Sequence, residues 1–272
     1  MLPPLLPISA RIDEAVRRIL RVKLRAGLFE KDASQLPAPA VIGSAEHRAV
    51  ARDAARQSLV LLKNDNVGRL PLLPLDPGST ILVTGNGADD FSRQNGGWSI
   101  TWQGTENQRK HYAGATSILE GIQQAVSKAG GQVVSRMRGK EKPDAAVVVF
   151  GEPPYTEGEG DRPHLVYSRY DKESLKTLER LRKAGIPVVA VFLSGRPMVV
   201  NQELAAADAF IAAWLPGSEG GAIADALFAV DGFDFTGRLS FSWPANEQQV
   251  RLNRDDDIYL PLFPVGYGRT YQ

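Results

Sequence analysis

Apolar residues recur at helical spacing from Ile12 onward. Ile12, Val16, Ile19, Leu20 and Leu24 fall on one stripe of "RIDEAVRRILRVKLRAGLF", and Gly27 ends the pattern. The spacing predicts a helix over residues 11–26. The stretch "EKDASQLPAPAVIGS" that follows is polar and Pro-rich and reads as a connection. A second helix is expected over "AEHRAVARDAARQS", with Ser44 as its cap, running into the apolar "LVLLKN". Beyond a turn-rich stretch, short continuous apolar runs alternate with helical patterns. "TILVTG" (80–85), "AAVVVFG" (145–151), "PVVAVFLSG" (187–195) and "AFIAAWLPG" (209–217) read as buried strands. Helices are expected at 116–129, 170–184, 197–206 and 219–228. "RLSFSWP" (238–244) alternates, and is expected as a final strand at a sheet edge. Runs of Val, Ile and Ala between amphipathic helices predict an α/β layered domain with a mostly parallel sheet.

In such a sheet, ligands sit beyond the carboxyl ends of the strands. Three polar, glycine-containing loops fall there: "GEPPYTEGEGDRP" after the 145–151 run, "SGRP" after 187–195 and "LPGSEG" after 209–217. The first crowds Glu152, Glu157, Glu159 and Asp161 into a segment whose prolines and glycines forbid a helix. It is either a solvated acidic loop or a place where one acid does chemistry. Acid catalysis at a glycosidic oxygen needs a carboxyl kept protonated by burial or by nearby negative charge, and clustered carboxylates are one way to raise a pKa. From the residues alone, the acid is one candidate among four.

Composition narrows the classes. With 43% hydrophobic and 23% charged residues, the 272-residue chain is an ordinary globular protein of one large domain or two small ones. A formal net charge of +1 carries no basic footprint for nucleic acid or an anionic membrane. No apolar run reaches the length of a membrane span, and "MLPPLLPISARIDE" does not read as a signal peptide. The absence of cysteine excludes disulfides and thiolate sites. His47, His111 and His164 are far apart in sequence, so a histidine metal site or triad has little to draw on.

Two further motifs bear on chemistry. "VTGNGADD" has Gly85 and Gly87, but Asp90 stands where a nucleotide fingerprint needs its third glycine, and a carboxylate pair there would repel pyrophosphate. In "QNGGWSITWQG", Trp98 and Trp102 lie in a glycine- and amide-rich stretch with no clear periodicity. Flat aromatic faces beside amides suit a sugar, which offers one apolar face and a rim of hydroxyls. The other reading is that the pair pins a long loop to the core.

Taken together, "RIDEAVRRILRVKLRAGLF", "GGWSITWQG", "GEPPYTEGEGD", "SGRPMVV", "AAWLPGSEGGAIADALF", "GRLSFSWP" and "LFPVGYG" resemble, in family order, the second domain of family 3 glycoside hydrolases. The nearest branch is the β-glucosidase and β-D-glucan exohydrolase type. The resemblance runs from about Arg11 to Tyr271. It implies a three-layer α/β/α sandwich over 44–272, with residues 1–43 forming the closing helix and linker of a (β/α)8 barrel. It also implies that Glu157 is the acid/base and that Trp102, with Trp98 nearby, walls the sugar site. Glu152, Glu159, Asp161 and Arg162 would support the loop, while Arg196 and Glu219 would fix loops by hydrogen bonding. No cofactor is implied.

The family is retaining, with its nucleophile an aspartate of the barrel. The "SDW"-like nucleophile signature occurs nowhere in these 272 residues. The expectation is therefore the acid/base half of an exo-acting β-glucosidase or β-glucan hydrolase, inactive alone. The alternative is a non-catalytic carbohydrate-binding or interaction domain derived from one. Expected partners are a β-linked glucoside or oligosaccharide, a barrel domain supplying the nucleophile, and a second copy meeting the stripe at 11–26. The compartment stays open, with a periplasmic or secreted parent enzyme as the expectation.

Overall fold

The structure, a computed structural model, describes residues 8–32, 34, 42–137 and 142–271. It divides into two compact units at Ser44/Ala45. The first contains α1 (Ile8–Arg25), the helix expected from the apolar stripe. Gly27, at φ +63°, turns the chain after the helix, and the Leu28 amide closes back on the Lys23 carbonyl at 3.1 Å. Ile12, Val16, Ile19 and Leu20 are exposed. The Pro-rich stretch around Pro37 and Pro39, expected as a linker, lies outside the described residues.

The second unit runs α2 (Ala45–Ser58), β1 (Val60–Asn64), a small hairpin of β2 (Asn66–Val67) and β3 (Leu70–Pro71), β4 (Thr80–Thr84), α3 (Phe91–Asn95), α4 (Ile118–Lys128), β5 (Gln132–Val134), β6 (Ala145–Gly151), α5 (Glu173–Lys183), β7 (Val188–Leu193), α6 (Asn201–Ala206), β8 (Ala209–Trp214) and α7 (Gly221–Leu227). Its six-stranded sheet has the order β1-β8-β7-β6-β4-β5. All pairings are parallel except β1 with β8. Helices lie on both faces, which is the expected three-layer sandwich. Every residue of β6 and β7 is buried, so these strands read as continuous apolar runs rather than alternations. Val147, Val149, Val189 and Val191 pack with Ile122 and Val126 of α4 and Ile223 of α7. Val148, Phe150, Ala190 and Phe192 pack on the other face with Leu178 and Leu181 of α5. Each of the buried Val, Ile, Leu and Phe side chains contributes about 1.5–3 kcal/mol by leaving water.

One expectation at the sheet edge is corrected. The antiparallel edge strand is β1, built from "VLLKN", and not residues 238–244. That segment pairs instead with the chain's end: Leu239 N–H donates to the Tyr267 carbonyl and Trp243 N–H to the Phe263 carbonyl, both at 2.8 Å. Pro244, Pro261 and Pro264 lack the amide donors a regular ladder requires. The alternation that suggested a strand is real as burial, since Leu239 and Trp243 are core and Phe241 is exposed.

The connections determine where a site can form. From β4 the chain passes through α4 to β5 on one side of β4. From β6 it passes through α5 to β7 on the other side. These helices lie on opposite faces of the sheet, so the loops leaving β4 and β6 part and open a crevice at the switch point between adjacent strands.

One buried acid lies away from that crevice. Glu203 of α6 is 1% exposed, and its Oε1 has no hydrogen-bond partner. Burial pushes its carboxyl up to about 7; its own backbone N–H opposes this, and the negative charges of Asp171 and Glu179 add to it. The nearby cations are engaged elsewhere: Arg182 donates to the Ala205 carbonyl, and Lys63 to those of Leu204 and Ala207. The folded-state pKa lies above the ordinary 4.5, so the fold binds this proton more tightly than the unfolded chain. Stability from the site is full below the unfolded value and is lost as pH rises through about 7. Glu203→Gln is expected to raise stability by about 2 kcal/mol at pH of about 8 and to change little at about 5. Urea midpoints at the two pH values check this, and a pH-independent effect refutes it.

Candidate active site

The loop leaving β4 is shaped by backbone constraints. Asp90 caps α3, accepting from the Arg93 amide at 3.0 Å, and also pairs with the Arg93 guanidinium. Arg93 Nη1 donates to the Gly151 carbonyl at 2.6 Å, tying this loop to the end of β6. Asp90 therefore has a structural role at the position where a nucleotide fingerprint would carry glycine. Gly97 lies against the next loop, where a Cβ would come within 2.1 Å of the Tyr155 carbonyl oxygen. Trp98 (φ 58°) and Ile100 (φ 71°) adopt left-handed backbone, which costs a non-glycine residue of order 1 kcal/mol or more. The turn is braced internally: Trp98 N–H donates to the Trp102 carbonyl at 2.9 Å, and Asn107 Nδ2 to the Ser99 carbonyl at 2.9 Å.

The two tryptophans do not pin this loop to the core. Trp98 is 68% exposed and Trp102 56%, with ring centroids 6.4 Å apart and planes inclined at 46°. Their indole N–H groups converge on one atom, the Glu157 Oε2, at 3.2 Å from Trp98 Nε1 and 3.4 Å from Trp102 Nε1. The structure thus brings together the three residues singled out in the sequence from two loops more than fifty positions apart.

The other acids do not share the indole donors of Glu157. Glu152 is buried at the end of β6 and paired with Arg196 at 3.1 Å. Arg196 also donates to the Gly160 carbonyl at 2.7 Å, so it fixes the acidic loop as expected. Glu159 and Asp161 are exposed on a tight turn closed by Gly160 N–H to the Thr156 carbonyl at 2.7 Å. The Arg162 guanidinium lies 3.9 Å over the Tyr170 ring, whose hydroxyl is 3.0 Å from His164 Nδ1. Glu219, in the loop after β8, is buried and paired with Arg48 at 3.0 Å.

The expectation that clustered carboxylates raise the acid's pKa is therefore corrected. Glu157's own backbone N–H is the main cause that holds its carboxyl below the ordinary value; burial opposes this, and the Trp102 indole, the Thr156 side chain and the Trp98 indole each add a smaller lowering. In this chain the group is an exposed carboxylate, the form that accepts a proton.

Sequence reasoning missed two residues. Gln103 spans both loops: the Thr156 amide donates to its Oε1 at 2.7 Å, and its Nε2 donates to the Glu157 carbonyl at 3.1 Å. Tyr155 packs under the Arg196 guanidinium, 4.2 Å from its ring, and burial pushes its hydroxyl up to about 12. The only signal for either was adjacency, to Trp102 and to the acidic run.

Comparison with known proteins agrees with this geometry. Residues 59–271 match the glycosyl hydrolase family 3 C-terminal domain. A lysosomal beta glucosidase of Dictyostelium discoideum is 31% identical over 97% of this chain and 34% of its own length. A periplasmic beta-glucosidase of Salmonella typhimurium is 30% identical over 96% of this chain and 40% of its own. Among solved structures, the exo-1,3/1,4-beta-glucanase ExoP of a Pseudoalteromonas species superposes with a TM-score of 0.89 at 49% identity, covering 97% of this chain and 34% of that one. The chain spans between a third and two fifths of these relatives' lengths. By the match across its sandwich and by these relatives, the chain belongs to the C-terminal domain family of the family 3 glycosyl hydrolases.

Proposed function

We propose that this chain is the acid/base-bearing half of a retaining, exo-acting β-glucosidase or β-glucan hydrolase. The nucleophile comes from a (β/α)8 barrel domain. The observation that carries this reading is the Glu157 carboxylate, held by two exposed indoles on the carboxyl rim at the sheet's switch point. The names of the relatives, beta-glucosidases and an exo-1,3/1,4-beta-glucanase, support the substrate class.

In a retaining mechanism the two carboxyl groups stand about 5–5.5 Å apart. Protonated Glu157 gives its proton to the glycosidic oxygen as the sugar–oxygen bond breaks and the barrel's aspartate bonds to the anomeric carbon. In the second step, ionised Glu157 takes a proton from water as that water's oxygen displaces the aspartate. Trp102 and Trp98 present apolar faces to the sugar. The depressed pKa in the uncovered domain suits the second step. The first requires the barrel and the sugar to exclude water from Glu157, which raises a carboxyl pKa. The expected homodimer through residues 11–26 rests on the exposure of the α1 stripe alone.

The exposed tryptophan pair also favours a second reading, carbohydrate binding without hydrolysis. Mixing the chain with a separately produced family 3 barrel domain and assaying an aryl β-glucoside separates the two. The chain alone is expected to be inert and the mixture active. Turnover of about 1–10³ s⁻¹ by the chain alone overturns the proposal, since that is the ordinary range of complete enzymes. An inert mixture whose tryptophan fluorescence responds to added glucan supports binding alone.

A further inference from the structure

We infer that Gln103 is a positioning residue that registers the acid loop against the tryptophan loop, so that Glu157 is presented to its site as one unit with Trp98 and Trp102. The inference rests on the reading of Glu157 as the acid/base. It says which residue sets that carboxyl's position.

The geometry is specific. The Gln103 side-chain amide uses both ends on consecutive residues of the acid loop, accepting from Thr156 N–H at 2.7 Å and donating to the Glu157 carbonyl at 3.1 Å. A primary amide carries one acceptor oxygen and donor hydrogens in one plane, so it substitutes for the peptide group of a neighbouring strand. Here it supplies the pairing that two irregular loops do not make through backbone ladders. The carbonyl it holds belongs to Glu157 itself, so the constraint acts on the backbone that carries the carboxylate.

The other side of the tie is firm. Gln103 follows Trp102 directly, in a turn braced by Asn107 Nδ2 to the carbonyls of Ser99 and Gly104 and by Thr101 Oγ1 to the Thr105 carbonyl at 2.8 Å. The two loops also touch where Gly97 meets the Tyr155 carbonyl, a contact that sets their spacing but has no donor to fix their register. The indole contacts at 3.2 and 3.4 Å lie at the long end for hydrogen bonds and hold only the end of an exposed side chain. Of the contacts between the loops, only the Gln103 amide grips the acid loop's backbone at both Thr156 and Glu157.

Both indoles donate to Glu157, so their N–H resonances report its ionisation without any catalysis. In the full chain, the ¹H–¹⁵N indole signals of Trp98 and Trp102, assigned by Trp98→Phe and Trp102→Phe, are expected to titrate together below the ordinary glutamate value of 4.5. Glu157→Gln is expected to abolish that titration. Gln103→Met keeps the side chain's length and removes both hydrogen bonds, while Gln103→Ala removes the packing as well. Each is expected to move the midpoint up towards 4.5, as the carboxylate leaves the two indoles that add to the lowering by its own backbone N–H. Should Gln103→Ala fail to fold, Gln103→Met carries the test. A Gln103→Met midpoint equal to that of the unsubstituted chain overturns the inference.

With the barrel partner present, Gln103→Met is expected to lower kcat about 10²-fold with KM little changed, the effect of a displaced catalytic group rather than of lost binding. The two readings fail separately. An unshifted midpoint overturns the role of Gln103 even if Glu157→Gln cripples hydrolysis. Unimpaired hydrolysis by Glu157→Gln overturns the acid/base reading even where the midpoint moves.

Discussion

Glu157→Gln, assayed together with the barrel domain, is expected to lower kcat/KM on a β-glucoside with a poor leaving group about 10²–10⁴-fold. The loss on an activated aryl β-glucoside is expected to be far smaller in the glycosylation step. A leaving group of low pKa departs without a proton, so the amide that replaces the acid costs it little. An alkyl or sugar leaving group departs as an alkoxide unless protonated, so it carries the full loss of the acid. Glu152 is buried against Arg196, and neither Glu159 nor Asp161 shares the indole donors that hold Glu157. Deglycosylation also loses its general base, so the glycosyl-enzyme is expected to accumulate on the aryl substrate and azide to restore turnover. The controls are Glu159→Gln and Asp161→Asn, both at exposed positions and both expected to stay within a few-fold of the unsubstituted enzyme. Unchanged rates for Glu157→Gln, with activity abolished by either control, would transfer the acid role to that residue.

How far this arrangement is legible in the sequence depends on where the determining interactions lie. β6, β7 and β8 are legible because a parallel sheet covered on both faces needs apolar side chains at every position. β5, three residues long, is too short to show a period, and β1 continues an apolar run that begins at the end of α2. Residues 238–244 mislead because burial alternates there while proline blocks the ladder, and periodicity registers only the burial. At the site, Trp98 and Trp102 stand out by residue type and setting, while Glu157 is one acid among four until the family resemblance singles it out. Their convergence depends on Gly97's close approach to Tyr155 and on Gln103's amide, contacts between loops more than fifty residues apart. The charge state of Glu157 reverses the expectation for a related reason. Arg196 draws Glu152 into the sheet's end, and Glu157 meets hydrogen-bond donors, its own backbone N–H first, that sequence adjacency does not show.

That pair carries the largest expected effect on stability. The Glu152 side chain is 2% exposed and Arg196's 20%, with Nη2–Oε1 at 3.1 Å and Nε within 3.3 and 3.4 Å of the two carboxylate oxygens. Arg196 also stacks on Tyr155 and donates to the Gly160 carbonyl, so one guanidinium anchors both arms of the acid loop. Arg196→Met keeps the apolar stem but strands a buried carboxylate. Breaking such a pair from one side costs about 3–5 kcal/mol, and Arg196's partial exposure places this case near the lower figure, about 3 kcal/mol. Most of that cost is the uncompensated charge rather than the lost attraction. Adding Glu152→Gln to Arg196→Met is therefore expected to recover about half of it, leaving the lost Gly160 and Tyr155 contacts unrepaired. Arg196→Lys is not expected to substitute, because an ammonium cannot span both carboxylate oxygens and the Gly160 carbonyl from one plane. Urea unfolding of the four members of the cycle gives the coupling directly. A single-mutant loss under about 1 kcal/mol, the range of surface pairs, or effects that simply add, would mean that the pair does not hold the loop.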